Sequence, residues 1–211
     1  MWRPPIAPDS LDIIVPLAVL AAAAWVLSPP LGIMPVAALL CSLWFFRDPE
    51  RRSGGAEGDV VSPADGTVEW VREVNEPRFL GGRALGLSIY LSLFDVRVNR
   101  APVSGEVAYR EYVPGRFVPA ARAGVEDVDE RACTGLTAGP HRILVLQIAG
   151  RVARRIITSV EVGDRLVRGQ RIGMIRGGSR TQVLLPPDST PLVTAGQRVR
   201  AGVTPLARLP G

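Results

Sequence analysis

Two apolar runs at the start of the chain, 11–27 (LDIIVPLAVLAAAAWVL) and 31–46 (LGIMPVAALLCSLWFF), are separated only by Ser28, Pro29 and Pro30 and constrain the fold more than any other feature. Within the first 46 residues only Arg3, Asp9 and Asp12 carry charge. As helices, runs of this length reach roughly 25 Å, a little short of the ~30 Å hydrocarbon core of a bilayer. The pattern predicts a tight helical hairpin or re-entrant anchor, the alternative being a buried pair of apolar helices. No basic leader precedes a single apolar core, and a second run follows at once, so the hairpin is expected to be retained rather than removed as a signal peptide. Arg47, Arg51 and Arg52 come next and place that end on the cytoplasmic side.

Beyond the loop SGGAEGD the period changes. Short β-type runs at 66–74, 84–94, 105–113, 142–149 and 152–162 are punctuated by glycine and proline, and no stretch shows convincing helical periodicity. The expectation is a mainly β domain over 47–211 behind an anchoring segment over 1–46. An internal repeat supports it: VEVGDRLVRGQRIG at 160–173 is echoed by VTAGQRVRAGVTPL at 193–206, each reading as strand, glycine turn, strand. Together with VSPADGTV at 61–68, the repeat resembles the hairpin grammar of lipoyl and biotinyl domains and of barrel-sandwich hybrids. The acidic segment RAGVEDVDER at 122–131 reads as a loop, either mobile near a site or simply solvated.

Charge and composition exclude several functions. The net charge of +5, less the −1 of the first 46 residues, leaves +6 on residues 47–211, which suits an anionic membrane surface or a phosphate-bearing substrate. The arginines are not clustered with aromatics into a nucleic-acid module. All 25 basic residues are arginine. Without lysine there is no Schiff base to pyridoxal phosphate, no lipoyl or biotinyl carrier and no phosphate-loop lysine. Cys41 in the apolar segment, Cys133 in a loop-like stretch and the single histidine, His141, predict neither a disulfide framework nor a metal site.

Four segments remain that can carry chemistry: FFRDPER at 45–51, VVSPADGTV at 60–68, FDVRVNRAPVSGEV at 94–107 and QIAGRVARRIITSVEVGDRLVRGQRIGMIRGGSR at 147–180. In this order, behind a hydrophobic N-terminus, they resemble the short bacterial form of phosphatidylserine decarboxylase over nearly the whole chain. A hydroxyl beside a glycine carbonyl can attack it with little steric hindrance, and glycine tolerates the strained backbone this requires. The resemblance therefore implies a proenzyme that cuts itself between Gly178 and Ser179 into chains 1–178 and 179–211. β-Elimination and loss of ammonia would convert Ser179 into a pyruvoyl cofactor. That ketone would take the amine of phosphatidylserine and draw electrons from the carbon–carboxylate bond, giving phosphatidylethanolamine and carbon dioxide. The bland alternative for Gly177-Gly178-Ser179 is an ordinary turn.

By the same resemblance Asp65 assists self-cleavage, although Ala-Asp-Gly is also a good hairpin turn in its own right. Arg97 stands where the family usually has histidine, and a guanidinium cannot accept the serine proton. Arg97 and Arg100 are expected instead to bind the substrate carboxylate or phosphate. Arg154 and Arg155 are family-pattern cations of which strand alternation lets at most one face a site. His141 reads as a surface or strand-end residue. The expected protein is a cytoplasm-facing, membrane-bound lyase whose large and small chains stay together. The alternative is a membrane-anchored lipid-binding protein that has lost maturation.

Overall fold

The computed structural model of the chain describes residues 5–56, 58–114, 130–149, 155–176 and 178–211, with the backbone alone at 178 and 179. The acidic segment as far as residue 129, together with Arg154 and Gly177, lies outside the described residues. The chain divides into two compact units, Met1–Glu50 and Arg51–Gly211.

In the first unit, helices α1 (Leu11–Leu27) and α2 (Pro29–Phe45) form the hairpin. Ser28 is extended (φ −165°, ψ 120°) and serves as the last cap of one helix and the first of the other. Pro29 and Pro30 then occupy the first helical turn, where a missing N–H costs nothing. Gly32 lets the helices close up, since a Cβ there would stand 2.8 Å from the Cα of Trp25. A 3-10 turn over Pro8–Ser10 precedes α1 and extends the apolar helical stretch to 20 residues, about 30 Å. That is long enough for a bilayer core, where the sequence suggested a slightly short run. Most of its side chains are exposed, among them Val26 at 84% and Leu27 at 81%, unlike those of a core helix.

The second unit is β throughout its described residues. Its strands are β1 (Asp59–Val61), β2 (Gly66–Glu76), β3 (Gly82–Tyr90), β4 (Val98–Arg100), β5 (Gly105–Val113), β6 (Arg131–Ala138) and β7 (His141–Ala149), then β8 (Ile156–Thr158), β9 (Arg165–Leu166), β10 (Arg171–Ile175), β11 (Gly178–Leu185), β12 (Thr190–Pro191), β13 (Arg198–Val199) and β14 (Pro205–Arg208). Eight of them form a curled antiparallel half-barrel in the order β13-β2-β3-β11-β7-β6-β5-β9. Two three-stranded sheets, β1-β14-β12 and β4-β10-β8, complete the unit.

One face of the large sheet carries the main core, and the other is covered over part of its area. Val68, Leu87, Ile89, Val145, Val183 and Leu185 point to the main core, which also takes Val60, Ile172 and Leu206 from the smaller sheets. On the opposite face Ala84, Cys133, Leu144 and Leu184 form a smaller cluster with Phe79. The sequence placed Cys133 in a loop and missed β6. Cys133 and Gly135 are small because the stacked rings of Phe79 and Tyr109, 5.4 Å apart, cover that face, and a Cβ on Gly135 would lie 2.7 Å from the Phe79 ring; Ala132 faces the other way, against Ala149 and Ile156. The run read as 84–94 stops at Tyr90, because 91–97 turns sharply around Asp95.

The repeat at 160–173 and 193–206 extends to a second pair of segments, SPADGTV at 62–68 and APVSGEV at 101–107. Val61 N–H donates to Pro102 O and Arg100 N–H to Pro63 O; Gly202 N–H donates to Ser62 O and Gly169 N–H to Ala101 O. Likewise Gly196 N–H donates to Val68 O and Gly163 N–H to Val107 O. Val199 pairs with Gly66 as Leu166 pairs with Gly105. The two ends of the half-barrel are thus two copies of one hairpin unit, related by an approximate two-fold.

Candidate active site

The Gly178-Ser179 bond lies at the start of β11, in the middle of the large sheet. A single row crosses that sheet through Arg198, Thr67, Tyr90, Arg180, Ile148, Arg131 and Val113. Ser179 stands one step beyond it. Gly178 pairs with Ala149 and Arg180 with Ile148, so Ser179 is the extra residue of a β-bulge. Bulges interrupt pairing and re-aim the chain, and they concentrate beside active sites.

Asp65 and Arg97 both lie toward this end of the sheet. Asp65 immediately precedes β2, two strands from β11, or about 10 Å at ordinary strand spacing. Its carboxylate is gripped from both sides: Arg51 forms a two-pronged ion pair with it, the second prong 2.8 Å from Oδ2, and Ala201 N–H donates to Oδ1 at 2.7 Å. Arg51 also donates to Ala201 O at 2.9 Å.

Arg97 is fully buried beside the β10–β11 connection. Its backbone carbonyl accepts from Ile175 N–H at 3.1 Å, and its Nε–H donates to Ile175 O at 3.0 Å. One terminal N–H group donates to Ser92 O at 3.0 Å. Burial pulls the guanidinium pKa below its usual value, and the nearby Asp95 opposes that shift. Asp95 in turn accepts from the N–H and hydroxyl of Ser92 and from Arg198. Arg100, at the other end of β4, donates to Gly169 O at 3.0 Å.

Three polar residues that the sequence reading passed over lie close by. Asn99 donates to the Thr181 hydroxyl at 3.0 Å and to Pro63 O at 3.3 Å, and accepts from the Gln147 amide at 2.9 Å. All three are essentially inaccessible to solvent, and Thr181 is two residues beyond Ser179. Two further buried acceptors, Gln147 Oε1 and Thr134 Oγ1, have no hydrogen-bond partner among the described residues. A glutamine inside the apolar run LVLQIA was the available signal, since an amide placed there must be satisfied from outside its own strand.

His141 is remote. It begins β7 while Ala149, opposite Gly178, ends it, and eight strand steps separate them by about 26 Å. At that far end a cavity of about 900 Å³ is lined by His141, Ser104, Arg168, Arg208 and the last residues of the chain. Arg168 is spent on Ser53, Ala56 and Asp59, and Arg208 on Asp59, whose carboxyl pKa that pairing lowers. Arg155 is exposed, its carbonyl accepting from Arg176 N–H.

A phosphatidylserine decarboxylase family profile matches residues 39–207. The chain is 56% identical over 211 residues to a phosphatidylserine decarboxylase proenzyme of Symbiobacterium thermophilum, covering all of this chain and 98% of that one. A proenzyme of the same name from Carboxydothermus hydrogenoformans is 44% identical over 182 residues, 86% of this chain and 85% of the relative. A third, from Syntrophus aciditrophicus, is 41% identical over 177 residues, 83% of each.

Proposed function

The chain belongs to the phosphatidylserine decarboxylase family of carboxy-lyases, and we propose that it matures by cutting itself between Gly178 and Ser179 and then decarboxylates phosphatidylserine to phosphatidylethanolamine. The observation that carries this reading is the β-bulge at Ser179, on the central strand of the sheet. Glycine before the serine and a bulge at it leave the attacked carbonyl free of regular ladder geometry.

The site also suits a cut chain. β11 pairs along its length with β3 on one side and β7 on the other, both belonging to residues 1–178. A segment held on both edges does not need its N-terminal peptide bond to stay in place, so chains 1–178 and 179–211 are expected to remain one heterodimer. The pyruvoyl group formed from Ser179 would supply a ketone that binds the substrate amine and accepts electrons from the carbon–carboxylate bond. Asp65, oriented by Arg51 and Ala201, is the carboxylate we assign to self-cleavage. Arg97 sets the position of Ile175, three residues before Gly178, and with Arg100 is assigned to the anionic groups of the lipid as buried positive charge behind the site rather than as a surface contact. A guanidinium takes up no proton here, so Arg97 acts by charge and position. The apolar hairpin over 1–46 is assigned to membrane anchoring, with the domain over 47–211 on the cytoplasmic face.

The test is the intact mass of detergent-solubilised protein beside a Ser179→Ala control, together with carbon dioxide release from phosphatidylserine. Two chains in the wild type, the smaller with a pyruvoyl terminus, and one chain in the control are expected. An uncut wild type that releases no carbon dioxide overturns the reading and leaves a lipid-binding protein.

A further inference from the structure

The turn over 91–97 carries, among the described residues of the second unit, the two most exposed neighbouring apolar side chains, Leu93 at 67% and Phe94 at 73%. They stand beyond the end of β3, the end of the sheet where Gly178 and Ser179 lie. The turn that presents them is firmly built: Asp95 accepts from the backbone and hydroxyl of Ser92, and Arg97 holds the Ser92 carbonyl. An apolar pair on so constrained a turn cannot fold back to bury itself.

We propose that this turn is a membrane-docking loop, with Leu93 and Phe94 entering the headgroup–acyl boundary of an anionic bilayer so that the Ser179 end of the sheet receives its lipid directly. The inference rests on the phosphatidylserine reading above, and the surroundings of the turn favour a lipid surface as its occupant. Tyr90, 46% exposed, shares a sheet row with Arg198 and Arg180. Tyrosine and arginine combine an apolar body with a polar tip, the combination that settles at a membrane interface. The ion pairs here are asymmetric. The Arg198 side chain is 69% exposed against 6% for Asp95, and that of Arg180 41% against 26% for Glu69. The outward-facing charge is therefore positive, as anionic headgroups require. Burying a leucine or phenylalanine in apolar surroundings is worth about tenfold or more in binding for each.

The experiment places an environment-sensitive fluorophore on Phe94→Cys in a Cys41→Ser background, using the full chain with vesicles of phosphatidylcholine and phosphatidylserine that carry a shallow spin-labelled lipid. A matching probe on Val162→Cys, 61% exposed and near the far end of the sheet, is the control. Strong quenching at 94 with little at 162 is expected. Equal quenching at both positions overturns the proposal, as does none at 94. So does a blue shift at 94 that tracks protein density rather than lipid, which would put a second copy of the chain on the turn. This readout needs no catalysis, so it separates failure of the docking loop from failure of the decarboxylase reading. A Leu93→Asp, Phe94→Asp variant should in addition lose tenfold or more in carbon dioxide release from bilayer phosphatidylserine and less than twofold from a short-chain, monomeric form. Equal loss on both substrates counts against docking.

Discussion

Arg97 and Ile175 hold each other twice, Ile175 N–H on the Arg97 carbonyl at 3.1 Å and Arg97 Nε–H on the Ile175 carbonyl at 3.0 Å. The second bond means that this arginine does structural work a histidine of ordinary reach would do differently. Arg97→Ala takes the side-chain donor from the buried Ile175 carbonyl and one of the two donors from the Ser92 carbonyl, which keeps Asp95 N–H, and should cost about 2–4 kcal/mol. For a chain of this size that lowers the melting temperature by roughly 5–15 °C, read by thermal unfolding of the detergent-solubilised protein. Arg97→Lys keeps the charge but lacks the fork of donors, and should recover less than half of the loss. A lysine variant as stable as the wild type would show that charge alone is what the position requires.

Asp65 and Ser104 are counterparts in the duplicated hairpin unit. Ala201 N–H reaches Asp65 as Arg168 N–H reaches Ser104 Oγ, at 2.7 and 2.9 Å. The turn itself therefore needs only a short side chain with an oxygen, and the extra feature of Asp65 is its ion pair with Arg51, whose side chains are 11% and 13% exposed. Asp65→Asn and Arg51→Gln should each cost about 1–3 kcal/mol, and the double variant clearly less than their sum. Additive losses in denaturant titrations would mean that the pair contributes no coupling.

Much of this architecture is legible in the sequence where the signal is local. The apolar hairpin follows from two runs broken by Ser28, Pro29 and Pro30, and the β domain from alternation and turn residues. The Gly178-Ser179 dipeptide is visible as a motif, but its bulge depends on how Ala149 and Ile148 pair with it, which no local pattern carries. The duplication of SPADGTV by APVSGEV is obscured because only proline, glycine and the final valine coincide, while the shared part is a set of backbone bonds. β6 is hidden for the opposite reason: its small residues read as loop until Cys133 and Gly135 are seen under Phe79 and Tyr109, and Ala132 against Ala149 and Ile156. The polar cluster of Asn99, Gln147 and Thr181 joins three distant segments and becomes evident only when they meet.

Burial pushes the Cys133 thiol up to about 11 from an ordinary 9.0, whereas Cys41 is exposed. A raised pKa in the folded state stabilises the protonated form. The contribution is therefore complete below about pH 9 and is lost as pH rises toward 11, a change on the order of 1–3 kcal/mol. The melting temperature should fall more steeply over that window for the wild type than for Cys133→Ala, which has no thiol to titrate. Parallel curves would show that the thiol does not sense its burial. A water-soluble thiol reagent at pH 8 should also leave Cys133 unlabelled until the protein is denatured.

Two glycines separate strain from obstruction. At Gly196, φ is +89° and a Cβ would meet nothing within 4 Å, so Gly196→Ala meets only the left-handed backbone penalty, about 1–2 kcal/mol. At Gly66 a Cβ would stand 2.0 Å from the carbonyl oxygen of Tyr90, a backbone atom fixed by the pairing of β2 with β3. No side-chain adjustment relieves that contact. Gly66→Ala should force β2 away from β3 next to Asp65, giving protein that is largely insoluble or lacks cooperative unfolding, whereas Gly196→Ala should unfold cooperatively at a slightly lower temperature. The close approach at Gly66 is part of the hairpin unit repeated at Gly105, where a Cβ would stand 2.3 Å from the Thr137 carbonyl oxygen, so Gly105→Ala should fail in the same way. A folded Gly66→Ala protein with wild-type stability would mean that this end of the sheet is free to open, and the fixed geometry assigned to the Asp65 turn would go with it.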